Sequence, residues 1–319
     1  MHRVWSELAS YETLGSPRTL DLLERHRLFA LVAVQPQHLP DLPALLERFA
    51  ARKIELGLWP MLADHEGRWF NRRNAARFRQ HTESVLEMAL PSSRSTVKEI
   101  ALDLEPHIEE MRAFLSWRPS FFAKVVRRGD SFLHTKKLLG GLVDEIRARG
   151  LRALAAVMPP IALPHGERWE RRFGTPVREL AWDHVSVMAY TSMIEGWSKG
   201  TLQRRHAVAA LDRLARETKR AFGERGGISL GAVGIGAFGN EPIYRSVSEL
   251  EEDVVVARDR GIGDLTLFEL AGVLSRPHPE AWLSALGTVT SRGAAPASSL
   301  RVSAAIGVLD AIPNVRRLR

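Results

Sequence analysis

Eight short apolar runs, each bounded by polar or Pro/Gly residues and spaced by longer amphipathic stretches, constrain this chain more than any other feature. They lie at residues 4–8, 28–34, 54–59, 100–104, 151–158, 185–190, 228–235 and 265–270. All are rich in Val, Ile and Leu, as strands buried on both faces must be. The stretches between them carry helix signals. Ser16-Pro17 supplies an N-cap followed by a first-turn proline. Residues 39–52 place Leu42, Leu45, Leu46 and Phe49 at helical spacing, and residues 129–149, 201–222 and 246–260 behave likewise. The last three close on Gly150, Gly226-Gly227 and Gly261, the C-terminal glycine signal. Residues 66–91 hold a long arginine-rich helix, and residues 159–183 read as a proline-containing loop over the rim. Strand–helix alternation repeated eight times predicts the α/β class and a closed (β/α)8 TIM barrel in a single domain over residues 1–286. An open doubly wound sheet is the alternative if the first run, the weakest, is not a strand. From Gly287 the composition shifts to Ala, Ser, Gly and Arg, which predicts a flexible tail over 287–319 with a short helix at 302–309.

Composition narrows the function classes. Hydrophobic residues make up 45% and charged residues 26% of the 319, enough for a sizeable core. There is no cysteine, which removes disulfides, thiolate metal sites and cysteine nucleophiles. No window nears the roughly 18 consecutive apolar residues that span a bilayer, so no membrane partner is expected. Residues 1–7 lack the apolar run of a secretory signal, and a cytoplasmic location and a monomer are expected. The net charge of +8 resides largely in arginines interleaved with Glu and Asp along helical stretches. That pattern reads as solvated helix faces, without a nucleic-acid motif and without nucleic acid as a partner.

In a parallel barrel, chemistry collects where the strands end and their following loops begin. In chain order those ends offer Glu7, Gln35, Trp59, Asp103 with Glu105, Tyr190 with Thr191, Gly236 with Phe238, and Glu269. Asp103 and Glu105 stand two apart on a strand, so both face the lumen, Glu105 nearer the mouth. Apolar neighbours Ile100, Ala101, Leu102 and Leu104 raise the cost of idle charge there. Two carboxylates a few ångströms apart resist joint ionisation, and one keeps its proton near neutrality. That is the arrangement of a general acid. Trp59 and Trp197 are candidates to stack on a sugar ring. Asp103, Glu105 and His107, with Asp64-His65-Glu66 one strand away, also permit a divalent cation and a metal-assisted lyase or esterase. No H-x-H or H-E-x-x-H spacing accompanies them, and neither a metal nor another cofactor is expected. A barrel that binds carbohydrate without turnover is the third reading.

The run Ile100-Ala101-Leu102-Asp103-Leu104-Glu105-Pro106 resembles the fourth-strand D-x-x-D-x-D-x-E signature of the family-18 glycoside hydrolases, the chitinase-like barrels. Val187-Met188-Ala189-Tyr190-Thr191 is similar to that family's sixth-strand M-x-Y-D. The resemblance implies a TIM barrel that cleaves a glycan. Glu105 would protonate the glycosidic oxygen, Asp103 would orient the substrate's N-acetyl group as the internal nucleophile, and Tyr190 would hydrogen-bond that acetamide. Lys98 and Ala101 stand where the signature has its first two aspartates, Thr191 where the sixth strand has its own, and Leu56-Gly57-Leu58-Trp59-Pro60 where the third has Ser-x-Gly-Gly. A scheme with two protein carboxylates would pair Glu105 with Glu7 or Glu269 across the mouth. The binding set is then Glu7, Gln35, Trp59, Thr191, Trp197 and Glu269, on a carbohydrate substrate.

Overall fold

The computed structural model describes residues 2–93, 96–115, 132–288 and 298–311. Eight parallel strands close into a barrel in chain order: β1 His2–Ser6, β2 Phe29–Val34, β3 Leu56–Pro60, β4 Val97–Leu104, β5 Arg152–Val157, β6 His184–Met188, β7 Gly226–Gly231 and β8 Asp264–Phe268. β1 pairs with both β2 and β8, which closes the sheet and rules out the open alternative. Each apolar run becomes a strand because its two faces meet two different cores. Outward residues such as Val4, Val32, Leu58, Leu102, Val187 and Leu267 pack beneath the helices. Inward residues Trp5, Leu31, Trp59, Ala101, Leu154, Ala156 and Phe268 fill the lumen as a separate cluster.

The helices follow local capping chemistry. Ser16 accepts the Thr19 amide and Pro17 opens the helix Pro17–Arg25. Residues 39–52 divide into a 3₁₀ turn, Pro36–Asp41, and the helix Leu42–Ala51, because Pro43 in the first turn fixes where the helix starts. Arg204–Phe222 ends on Gly223 (φ +60°) rather than on Gly226-Gly227, which instead open β7. A Cβ on Gly227 would stand 2.9 Å from the Asp264 carbonyl oxygen, so strand pairing needs glycine there. Residues 159–183 are not all loop, since Gly166–Phe173 forms a helix that buries Trp169 and Phe173. Helix Phe132–Ala148 is the described part of the 129–149 stretch. Gly287 falls inside the helix Pro279–Thr288, and Leu300–Ala311 is helical, with Val302 buried and Arg301 donating to the Thr201 carbonyl at 2.9 Å. The rest of the expected tail, residues 289–297 and 312–319, lies outside the described residues. No helix among the described residues is long and apolar enough to cross a membrane.

The amino-terminal end of the barrel is plugged by an ion network. Arg3 donates to both Glu99 carboxylate oxygens at 3.0 Å and also binds Asp264, with Arg3 and Glu99 fully buried. Arg152 adds a 3.2 Å contact to Glu99, and its guanidinium lies over the Phe29 ring. His184 stands 3.5 Å from Asp264, and burial, then Arg3, lower its pKa. Register slips between β3 and β4 at Leu56/Gly57. From there Glu99, Ala101 and Asp103 share the inward face of β4.

Candidate active site

The opposite end of β4 carries the site. Asp103 is the last inward residue of the strand, and Glu105 follows just before Pro106 turns the chain into the helix Ile108–Leu115. The segment after β3 comes back alongside: Phe70 donates its amide to the Asp103 carbonyl at 2.9 Å and bridges to Leu104. This cover leaves Asp103 only 4% and Glu105 8% exposed. Glu7, just past β1, is equally buried at 8% and is bound by Arg68 from the same β3 loop. Arg68 is itself shared, with Asp64 2.7 Å away.

Burial and mutual repulsion set the protonation of these acids. Burial, then the Glu7 charge, push Glu105 up to about 8 against the pull of Arg68. Burial, then Glu105 and Glu7, hold Asp103 well above the usual carboxylate range. Burial pushes Glu7 up to about 7, opposed by Arg68 and reinforced by Glu269 and Glu241. One oxygen of Asp103, Oδ1, is buried without a hydrogen-bond partner. Tyr190 closes the group. Its phenol pKa is raised by burial and then by Asp103, Glu105 and Glu7, and Ser229 lies on the side of its oxygen. Ser229 also accepts from Trp5 Nε1 at 3.0 Å and bonds Ser186 at 2.9 Å, a polar floor beneath the acids. The ensemble is a set of acids that hold protons near neutrality, one of them ion-paired, at the carboxyl ends of the strands. Such a set can donate a proton to a buried substrate atom.

The structure brings Glu7, Asp103, Glu105 and Tyr190 together. Trp59 packs on Trp5 with centroids 4.7 Å apart, and its buried Nε1 has no partner. Trp197 meets Phe238 edge-on at 6.2 Å, and Phe238 meets Trp69 at 6.1 Å, so three rings from three loops line the mouth. Gln35 caps the 3₁₀ turn after β2 and accepts from Gln37. Glu269 neighbours Glu7, but its oxygens accept the Gly272 and Ala271 amides at 2.6 and 3.1 Å as the N-cap of Leu270–Ser275. Thr191 lies apart from the cluster. Its hydroxyl binds Asp253 and takes Arg204 at 2.8 Å, in a buried network of the helix layer. The reason is positional: Thr191 is the first residue of the helix Thr191–Trp197, beyond the strand alternation that keeps Tyr190 inward.

Two contributors were not anticipated. Arg68 comes from an arginine-rich loop in which nothing marks it out. Glu241 follows the glycine-rich segment after β7, where its Oε1 accepts the Phe238 amide at 2.8 Å and its Oε2 is buried without a partner. Asp64, considered as a cation ligand, is taken by Arg68 and by Arg112 at 3.1 Å. Among the described residues no three His, Asp or Glu side chains are grouped to hold a metal ion.

No protein-family profile and no curated protein sequence matches this chain. Solved structures do. A GH18 chitinase from Pseudoalteromonas aurantia matches with a TM-score of 0.54 at 12% identity, over 90% of this chain and 99% of that one. A chitinase from Chromobacterium violaceum matches at 0.53 and 13%, over 90% and 97%. The PgaB glycoside hydrolase domain from Bordetella bronchiseptica matches at 0.50 and 13%, over 89% and 98%. At such identities the likeness is one of fold: the chain shares the (β/α)8 barrel of these structures and resembles the chitinase barrels distantly.

Proposed function

We propose that the protein hydrolyses a glycosidic bond, with Glu105 as general acid and Asp103 and Tyr190 as its support. One observation carries the reading. Two buried carboxyls at the carboxyl end of β4, Asp103 and Glu105, stand with a third, Glu7, that has a cationic partner, and burial pushes Glu105 up to about 8. Glu105 gives its proton to the glycosidic oxygen as the anomeric C–O bond breaks. Asp103, sharing the inward face of β4, reaches the substituent on the neighbouring sugar carbon. Tyr190, buried beside Asp103, Glu105 and Glu7, holds the wall behind it. In this reading Trp59, Trp197 and Gln35 bound the sugar, while the polar atoms of Thr191 and Glu269 serve the fold.

Wild-type and Glu105→Gln proteins, assayed on fluorogenic glycosides with and without a chelator, test this. Loss of about 10²–10⁴-fold in turnover with ligand binding retained is expected for Glu105→Gln. Turnover equal to wild type would sink the role of Glu105. Activity abolished by chelator and restored by a divalent cation would transfer the reading to metal-assisted chemistry. Binding without turnover in both proteins would make the barrel a lectin-like module.

A further inference from the structure

We infer that the sugar held at this mouth is an amino sugar with a free, protonated nitrogen, not an N-acylated or neutral one. The inference rests on the glycosidase reading for its location but on separate observations for its chemistry.

The first is charge. Glu7 is the hub: it raises Asp103, Glu105 and Tyr190, and is itself raised by Glu269 and Glu241. Five carboxyl groups therefore act on one small volume. Arg68 is the one cation that acts on Glu7, Asp103 and Glu105 together, and it is already divided between Glu7 and Asp64. The chain as a whole carries +8. A mouth lined by acids is thus a local property of these residues and not of the chain's composition. A cationic ligand group would take the place of the proton on Asp103 or Glu7 and pair with the carboxylate so formed in a low-dielectric site, where it is worth most.

The second is hydrogen bonding. Asp103 Oδ1 and Glu241 Oε2 are buried oxygens without hydrogen-bond partners, on residues 4% and 6% exposed. Buried acceptors left without partners are uncommon and destabilising, and they mark where a ligand's donors go. An ammonium brings three donors and no acceptor. An acetamide brings one N–H and a carbonyl that needs a donor in return, so it answers fewer of these acceptors than an ammonium does. The buried Trp59 Nε1, a donor, suits a ring hydroxyl.

A free amine cannot act as the internal nucleophile that an acetamide oxygen provides. The second carboxylate then serves: Glu105 passes its proton to the leaving oxygen as C1–O breaks, water adds to C1, and the proton released from that water goes to Glu7.

The test compares a glucosamine tetramer with an N-acetylglucosamine tetramer on the full chain, by calorimetric binding and by product analysis. The glucosamine tetramer should bind at least about tenfold tighter at low salt, since one well-placed charge pair in a buried site is worth that much. The preference should shrink several-fold in Asp103→Asn and in Glu241→Gln, isosteric changes whose folding is checked by circular dichroism. Cleavage of the N-acetylated tetramer alone, or equal binding of both, overturns the inference and leaves the glycosidase reading in place. Selective binding of the glucosamine tetramer without cleavage supports the inference and removes that reading. Failure to bind either tetramer overturns the inference.

Discussion

The two ends of this barrel bury acids in opposite ways. At the amino-terminal end Glu99 and Asp264 are matched by Arg3 and Arg152, and each of the two carboxylates has a cationic neighbour. At the carboxyl-terminal end Glu7, Asp103 and Glu105 share one guanidinium, Arg68, with Glu241 acting on Glu7, and two oxygens, on Asp103 and Glu241, have no partner. The same β4 face supplies Glu99 to the first set and Asp103 to the second, only four residues apart. A paired cluster satisfies itself and holds the fold, whereas an under-paired one keeps protons and vacant acceptors for a ligand. This matches the division of such barrels into a stability face and a catalytic face.

That contrast can be broken by mutation, and the lower end should show the largest effect. Arg3→Met leaves Glu99 and Asp264 buried without their main partner and should cost about 3–5 kcal/mol in chemical denaturation. A loss below about 1 kcal/mol would mean the lower network is as slack as the upper one.

The upper end should respond with the other sign. A carboxyl whose folded pKa is raised stabilises fully below its unfolded value of 4.5, and the contribution is lost as pH rises through about 7 for Glu7 and about 8 for Glu105. Thermal stability of the wild type should therefore fall between pH 5 and pH 8.5, since the fold holds protons that the unfolded chain releases. Glu105→Gln removes one of these acids and should be more stable than wild type at pH 8.5 by about 1–2 kcal/mol, while losing activity. A variant less stable than wild type at that pH would show that Glu105 is held by interactions of the paired kind.

The smallest effect sharpens the boundary of the site. Asp253 is buried in the helix layer, yet it is held by Arg204 at 2.6 Å and by the hydroxyls of Thr191 and Tyr244. Thr191→Val should cost about 1 kcal/mol of stability through the lost hydrogen bond, with kcat and KM unchanged. A changed KM would return Thr191 to the mouth.

How much of this could be read from the chain differs by distance along it. The eight strands were legible because a strand buried on both faces needs an uninterrupted apolar run, a local requirement. Asp103 and Glu105 were legible for the same reason: side-chain alternation with period two is local to β4. The start of β4 at Val97 was not. Glu99 reads as a polar boundary until Arg3, 96 residues earlier, is seen to neutralise it. Arg68 and Glu241 were hidden because loop paths, not residue patterns, carry them to the acids. Thr191 was misplaced by one step, where strand alternation gives way to a helix.

By itself, then, the sequence determined the strand–helix rhythm, the closed barrel it implies, and the inward direction of the acids on β4. Those follow from periodicity and burial over a few residues. Only the tertiary structure decided which acids are paired and which are left with protons and open acceptors. That outcome depends on cations and loops brought from elsewhere in the chain, and charge and hydrogen-bond balance are properties of a volume, not of a segment.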